Sequence, residues 1–320
     1  MRRSKKILVY IDGREGTTGL RLQERLEGRD DVELLTLPGD SRKDAAARRE
    51  RLNEADVAFL CLPDAAAAAA IGMLSRPGVR VLDASTAHRV SPGWVYGLPE
   101  LSAAQREAVA GAERVSVPGC HATGFVALLA PLVTAGLVPP ECPITAHSIT
   151  GYTGGGKRMI AEYEAAERPA ALSGTRVYGL TLTHKHLPEM RRWAGLARTP
   201  LFDPILGDFP RGMLVCVPLP ARLLPAGVDA ERLHSALAAH YAGRPVVEVM
   251  PFAPGNPPDG GFLDPQALAG ADRMQLFVFG NAEQALLIAR LDNLGKGASG
   301  AAVQCFNLMT GAPETEGLCC

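Results

Sequence analysis

Seven consecutive residues, Val117-Pro118-Gly119-Cys120-His121-Ala122-Thr123, carry the strongest chemical signal in the chain. A short β-type run, Arg114 to Val117, stops at a Pro-Gly pair, and an apolar helical run follows from Gly124 to Leu132. That order puts one thiol at a helix N-terminus, where unpaired N–H groups and the helix dipole favour an anion. A cysteine so placed can lose its proton near neutral pH, and the thiolate is the form that attacks a carbonyl carbon. The competing reading is a buried, inert thiol at a strand end, because free cysteine is among the most buried residue types.

A cysteine nucleophile needs a proton carrier, and histidine serves near pH 7. Of the seven histidines, His184 and His186 flank Lys185 and precede Pro188-Glu189. Their spacing suits one face of an extended segment, and Glu189 is placed to orient His186 if a helix begins at Leu187. His121 adjoins the cysteine, but neighbours at a helix start point apart, so it reads as packed or solvated. His88, His147, His234 and His240 carry weaker cases. Lys157 and Arg158 follow Gly154-Gly155-Gly156 and are candidate anion binders. Ser85 and Ser148 are candidate hydrogen-bond donors.

A second signal lies at the chain start. Gly13, Gly16 and Gly19 stand at GxxGxxG spacing, with Thr17 and Thr18 between them, after an apolar run and before a helical one. Glycines there let backbone approach a pyrophosphate that rests on the helix N-terminus. The second expected strand runs into Pro38-Gly39-Asp40-Ser41-Arg42-Lys43. Ser41, Arg42 and Lys43 suit the 2′-phosphate of NADP, and Asp40 is the one residue that favours NAD.

The elements that must hold these groups follow from periodicity. Buried parallel strands are expected at Lys6–Ile11, Val32–Leu37, Val57–Leu62, Val79–Ala84 and Arg114–Val117. Helices are expected between them at Leu20–Leu26, Asp44–Asn53 and Ala65–Leu74. This alternation predicts an α/β fold with a mainly parallel sheet covered on both faces. Beyond a linker at Pro139–Pro143 the pattern changes to longer strands: Ile144–Thr150, Leu214–Leu219, Val246–Met250, Met274–Phe279 and Gln284–Leu291. They predict a mixed or largely antiparallel sheet. A last helix, Ser299–Met309, ends at Gly311.

The 320 residues have room for two domains. Lys+Arg 33 against Asp+Glu 34 gives a net charge of −1, which suggests no nucleic-acid or membrane partner. The basic start, Arg2 to Lys6, is followed by an apolar run too short for a signal peptide or a membrane span. Seven scattered cysteines without CxxC spacing predict no metal and a reducing, cytoplasmic location.

Taken together, the glycine loop and Cys120 resemble the short form of the N-acetyl-γ-glutamyl-phosphate reductase family of arginine biosynthesis. The matching segments are IDGREGTTGLRL (11–22), YGLPEL (96–101), VPGCHATG (117–124), ITGYTGGGKRM (149–159), LTHKHLPEM (182–190) and DNLGKGASGAAVQCFNLMTG (292–311). The resemblance implies NADPH-dependent reductive dephosphorylation of an acyl phosphate through a thioester on Cys120. It places the catalytic histidine in the HKHLPEM segment, with His186 preferred and His184 second. It implies a substrate contact by Arg89 and brings the turn at Asn293 close to the nicotinamide. It further implies a Rossmann-type NADP domain from residues 1–118 plus 298–320, and a catalytic and oligomerisation domain from 119–297. A homodimer or homotetramer acting on a small molecule follows. Two other readings remain open: a sister reductase acting on aspartyl phosphate or a longer acyl phosphate, and a non-catalytic NADP sensor.

Overall fold

The computed structural model describes residues 6–320, except the side chains of Asp40 and Asp259. The Asp40 carboxylate, expected to weigh on the choice of cofactor, therefore lies outside the described residues. The chain divides into two compact units, residues 1–118 with 298–318, and residues 119–297 with 319–320.

The first unit begins with β1 (Ile7–Asp12), α1 (Thr17–Leu26), β2 (Val32–Leu35), α2 (Ala45–Glu54), β3 (Val57–Leu60) and α3 (Asp64–Ile71). It continues with β4 (Arg80–Asp83), β5 (Val95–Tyr96), α4 (Ala103–Gly111) and β6 (Arg114–Ser116). The strands form one sheet in the order β2-β1-β3-β4-β6-β5, parallel throughout. Side chains alternate between its faces. Val9, Ile11, Val57, Phe59 and Leu82 enter one core, with Leu22 and Leu26 of α1. Tyr10, Ala58, Leu60 and Val81 enter the other, with Leu52 of α2 and Ala67 and Ala70 of α3. Burial on both faces explains why these strands read as continuous apolar runs.

The second unit opens with α5 (Cys120–Thr134), then β7 (Thr145–Gly151), α6 (Gly156–Glu164), β8 (Arg176–Val177), α7 (Leu187–Trp193), β9 (Leu201–Gly207) and β10 (Met213–Pro220). It ends with α8 (Ala230–Tyr241), β11 (Val247–Val249), β12 (Met274–Gly280) and β13 (Gln284–Leu291). Its sheet runs β11-β12-β13-β10-β7-β9-β8. Only β11–β12 and β7–β9 pair in parallel. α5 is buried around its whole circumference, as its apolar composition requires, and packs on β10, β13, α7 and α8. Pro131 inside this helix has no N–H to give the carbonyl of Ala127. The Tyr241 hydroxyl of α8 donates to that carbonyl instead, at 2.7 Å.

A five-residue π-turn, Gly295–Ser299, precedes α9 (Gly300–Thr310). Ala301, Ala302, Val303, Cys305 and Phe306 of α9 belong to the core of the first unit, and Phe306 meets Phe59 with ring centroids 5.8 Å apart. Cys319 and Cys320 depart from the 298–320 boundary expected for this unit. Asp272 explains it: its N–H donates to the Cys319 carbonyl, and its carboxylate accepts the Cys319 N–H.

Candidate functional site

In the first unit the crossover from β1 to α1 builds an anion cradle. Gly13 adopts φ +83°, and a Cβ there would stand 2.3 Å from the Cys61 carbonyl oxygen, so only glycine closes this turn. Gly16 caps α1 with its backbone alone, and no side chain takes the first N–H groups. The Thr17 hydroxyl is buried with no partner. Free N–H groups, a helix dipole and an orphaned hydroxyl suit a dinucleotide phosphate. The cradle also lies where the strand order reverses, between β1 and β3, the usual ligand crevice of such sheets. Ser41 ends a short 3-10 turn, Gly39–Ser41. Arg42, half-exposed, pairs with Glu15 at 2.7 Å. Asp12 at the end of β1 is held by Arg48 at 2.8 Å.

Asp83, fully buried at the end of β4, accepts from the N–H and hydroxyl of Ser85 and bonds His88 Nδ1 at 2.6 Å. His88 stacks on Trp94 at 4.1 Å. Arg89 follows this fixed loop and is itself buried. Its Nε donates to the Val117 carbonyl at 3.0 Å and one terminal nitrogen donates to the Ala84 carbonyl at 3.2 Å.

In the second unit Cys120 is the first residue of α5, half-buried, with Gly119 as an N-cap that offers no side chain. The Gly119 N–H donates to Glu189 Oε2 at 3.2 Å. A Cβ on Gly297 would stand 2.7 Å from the Cys120 Cβ, so the π-turn passes directly against the cysteine. Burial pushes the Cys61 and Cys216 thiols up to about 12 and raises Cys142 as well. Those cysteines keep their protons at neutral pH.

Two further histidines gather around His121, the second residue of α5. The rings of His184 and His186 lie 4.7 Å apart and perpendicular, and each lies 5.5 Å from the ring of His121. The His186 N–H donates to His184 Nδ1 at 3.2 Å. His186 is buried and precedes α7, which begins at Leu187. Glu189, in the first turn of that helix, reaches Gly119.

His121 and Tyr178 are the functional candidates that residue types alone did not reveal. His121 is buried, not solvated. Its Nδ1 is hydrogen-bonded to Ser148 Oγ at 2.9 Å and its Nε2 to Tyr178 Oη at 2.8 Å. Burial, reinforced by the charges of His184 and Lys185, drives its pKa down to about 3. Burial and then the charge of Cys120 push the Tyr178 phenol upward. The usable signal was the apolar run around His121, where a polar ring must find partners. Tyr178 sits in a loop with no periodic cue.

The remaining candidates are scattered within this unit. Lys157 is exposed on α6. Arg158 is exposed as well and pairs with Glu162 one turn on, at 3.0 Å. Ser148, on β7, is fully buried against His121. Asn293 is buried, with its carbonyl oxygen accepting from the Gly212 N–H at 2.9 Å and its amide donating to Thr153 at 3.1 Å. Both ends of that side chain hold loops together. Asp292 beside it is fully buried and pairs with Arg211 at 2.5 Å.

The comparisons agree with this layout. Residues 9–109 match the family described as semialdehyde dehydrogenase, NAD binding domain, and residues 120–293 match semialdehyde dehydrogenase, dimerisation domain. The chain is 51% identical over 306 residues to the N-acetyl-gamma-glutamyl-phosphate reductase of Burkholderia cenocepacia (strain HI2424), covering 95% of this chain and 97% of that one. It is 49% identical over 317 residues to N-acetyl-gamma-glutamyl-phosphate reductase 2 of Nostoc sp. (strain PCC 7120), covering 97% and 98%. Among solved structures, the fold is similar to aspartate semialdehyde dehydrogenase II of Vibrio cholerae complexed with ASA. The TM-score is 0.71 at 16% identity, covering 96% of this chain and 99% of that one. Aspartate semialdehyde dehydrogenase with NADP from Candida albicans gives a TM-score of 0.63 at 15% identity, covering 96% and 99%. With a thiol at a helix start, paired histidines packed on the neighbouring His121 and half of all positions shared along nearly the full length, the chain belongs to the N-acetyl-gamma-glutamyl-phosphate reductase family of semialdehyde dehydrogenases.

Proposed function

We propose that the chain catalyses NADPH-dependent reductive dephosphorylation of N-acetyl-L-glutamyl 5-phosphate to N-acetyl-L-glutamate 5-semialdehyde, a step of arginine biosynthesis. One observation carries the residue assignment. Cys120 starts α5 with uncapped N–H groups around it, and His184 and His186 pack on the ring of the next residue, His121.

The Cys120 sulfur attacks the acyl carbon, the C–O bond to phosphate breaks, and a thioester forms. The N–H groups of the first turn of α5 stabilise the negative charge that grows on the carbonyl oxygen. Gly13, Gly16, Thr17, Thr18 and Gly19 would hold NADPH, with Ser41 and Arg42 toward its 2′-phosphate, and the bound cofactor would supply the hydride that reduces the thioester. His186 gives a proton to that oxygen and takes it back as the carbon–sulfur bond breaks, releasing the aldehyde and the thiolate. His184, bonded to the His186 backbone, is second choice. Arg89 and Lys157 are the proposed anchors for the substrate's anionic groups. Ser148 and Asn293 serve the scaffold, and Arg158 is committed to Glu162.

The match to a dimerisation domain supports a homo-oligomer, and we take a homodimer or homotetramer as its form. Among the described residues no helix is long and apolar enough to cross a membrane, and a cytoplasmic location fits the scattered cysteines. The reverse reaction tests the substrate. With NADP and phosphate, N-acetylglutamate semialdehyde should be oxidised far faster than aspartate semialdehyde. Equal or better turnover of the aspartate compound would overturn the assignment.

A further inference from the structure

We propose that Asp292 is a positioning residue for Cys120: together with Arg211 it anchors the turn whose Gly297 backbone walls the Cys120 side chain. The proposal rests on the reading of Cys120 as the nucleophile and adds the group that keeps the sulfur in place.

Two glycines make the close approach. A Cβ added to Gly297 would lie 2.7 Å from the Cys120 Cβ and 3.2 Å from its Cα. A methyl group there would overlap the nucleophile's own carbon, since carbons pack best at about 3.5–4.0 Å. Gly295, two residues earlier, is wedged against the Ala271 carbonyl oxygen, which would stand 2.1 Å from its added Cβ. Neither glycine has a positive φ, so the turn requires the absence of a side chain rather than backbone freedom. Lys296 between them is fully buried. The turn is thus pressed between the Ala271 segment and the cysteine, and any shift in it reaches Cys120.

Asp292 fixes this turn at its entrance. Its carbonyl accepts the Gly297 N–H at 2.9 Å, and its carboxylate accepts the Leu294 N–H at 2.8 Å. The same carboxylate accepts the Gly270 N–H and pairs with Arg211. The side chain is fully buried, and a buried carboxylate is tolerated only with such partners. Arg211 is a firm anchor point, because its loop between β9 and β10 is clamped to the end of β7. The Gly151 N–H donates to the Gly212 carbonyl at 3.0 Å, and the Thr153 N–H donates to the Pro210 carbonyl at 3.2 Å. One charge therefore joins the β9–β10 loop, the segment before β12 and the turn against Cys120. A turn with two glycines is soft by itself; this anchor makes it a wall. Asp292 acts on the sulfur only through Gly297.

Phosphate release in a single turnover without NADPH, corrected for spontaneous hydrolysis, reads the acylation step. Gly297→Ala alters no charge and sets a methyl group against the nucleophile. It should slow acylation by about 100-fold, the scale for an ångström of misplacement. The half-saturating concentration of N-acetyl-L-glutamyl 5-phosphate should stay within about twofold, because the place of the sulfur enters the transition state and not ground-state binding. An unslowed acylation, or a loss carried by half-saturation alone, would overturn the wall. The anchor is tested apart from it, with Asp292→Asn and Arg211→Gln. Each alone should slow acylation about tenfold, and the double variant, whose two amides can bond each other, should recover most of the rate. Additive losses, or single variants as fast as the unaltered enzyme, would overturn the anchor. Failure of the nucleophile reading would show separately, as acyl-phosphate reduction by Cys120→Ser.

Discussion

Glu189 Oε2 accepts the N–H of Gly119 at 3.2 Å, which ties the first turn of α7 to the residue that caps the Cys120 helix. Both partners are buried. The bond fixes where α5 begins, and so where the thiol stands. Removing the carboxylate leaves a buried N–H without its acceptor, at a cost of about 1–3 kcal/mol. Glu189→Ala should therefore lower the urea midpoint and reduce kcat by about 100-fold, the scale expected for an ångström of misplacement. Glu189→Gln retains an acceptor oxygen and should recover most of the stability. A kcat in Glu189→Ala close to that of the unaltered enzyme would show that the tie does not position the cysteine.

His121 gives the pH dependence of stability a definite sign. Its pKa falls from 6.5 to about 3 on folding. The unfolded chain therefore takes up a proton below about pH 6.5 while the folded chain does not. The stability from this residue is complete above about 6.5 and is lost progressively as pH falls toward 3, by up to about 1.4 kcal/mol per pH unit. Urea unfolding from pH 7 to pH 4 should show this slope, and His121→Gln should flatten it. Parallel slopes for the two proteins would refute the buried neutral histidine.

Arg42 pairs with Glu15 of the glycine loop, and the proposed function assigns it to the 2′-phosphate. Arg42→Ala should raise KM for NADPH by at least about tenfold, the equivalent of about 1.4 kcal/mol, with little change for NADH. Equal effects on both cofactors would remove Arg42 from the phosphate site.

The first unit, apart from β5 and α4, was legible because its strands are buried on both faces and stand apart from their helices in plain periodicity. Boundaries moved by one to three residues, as at β2, expected to Leu37 and ending at Leu35. The second unit was harder. β9 escaped because Asp203-Pro204 reads as a turn, yet Pro204 lies in register with Ser148 inside the sheet. α8 has charged and apolar residues intermixed and was not singled out. In the site, Cys120, His184 and His186 could be found from type and spacing. Asn293 could not be judged, since its partners Gly212 and Thr153 lie far away in sequence. Tyr178 was hidden for the same reason: its partner His121 is 57 residues away.

The central claim is that Cys120 carries the acyl group. The most direct measurement mixes the enzyme with N-acetyl-L-glutamyl 5-phosphate in the absence of NADPH, quenches in acid and maps the peptides by mass. One phosphate should be released per site, with an N-acetylglutamyl adduct on the Cys120 peptide that is absent in Cys120→Ser. Phosphate release without that adduct, or an adduct on another cysteine, would contradict the claim.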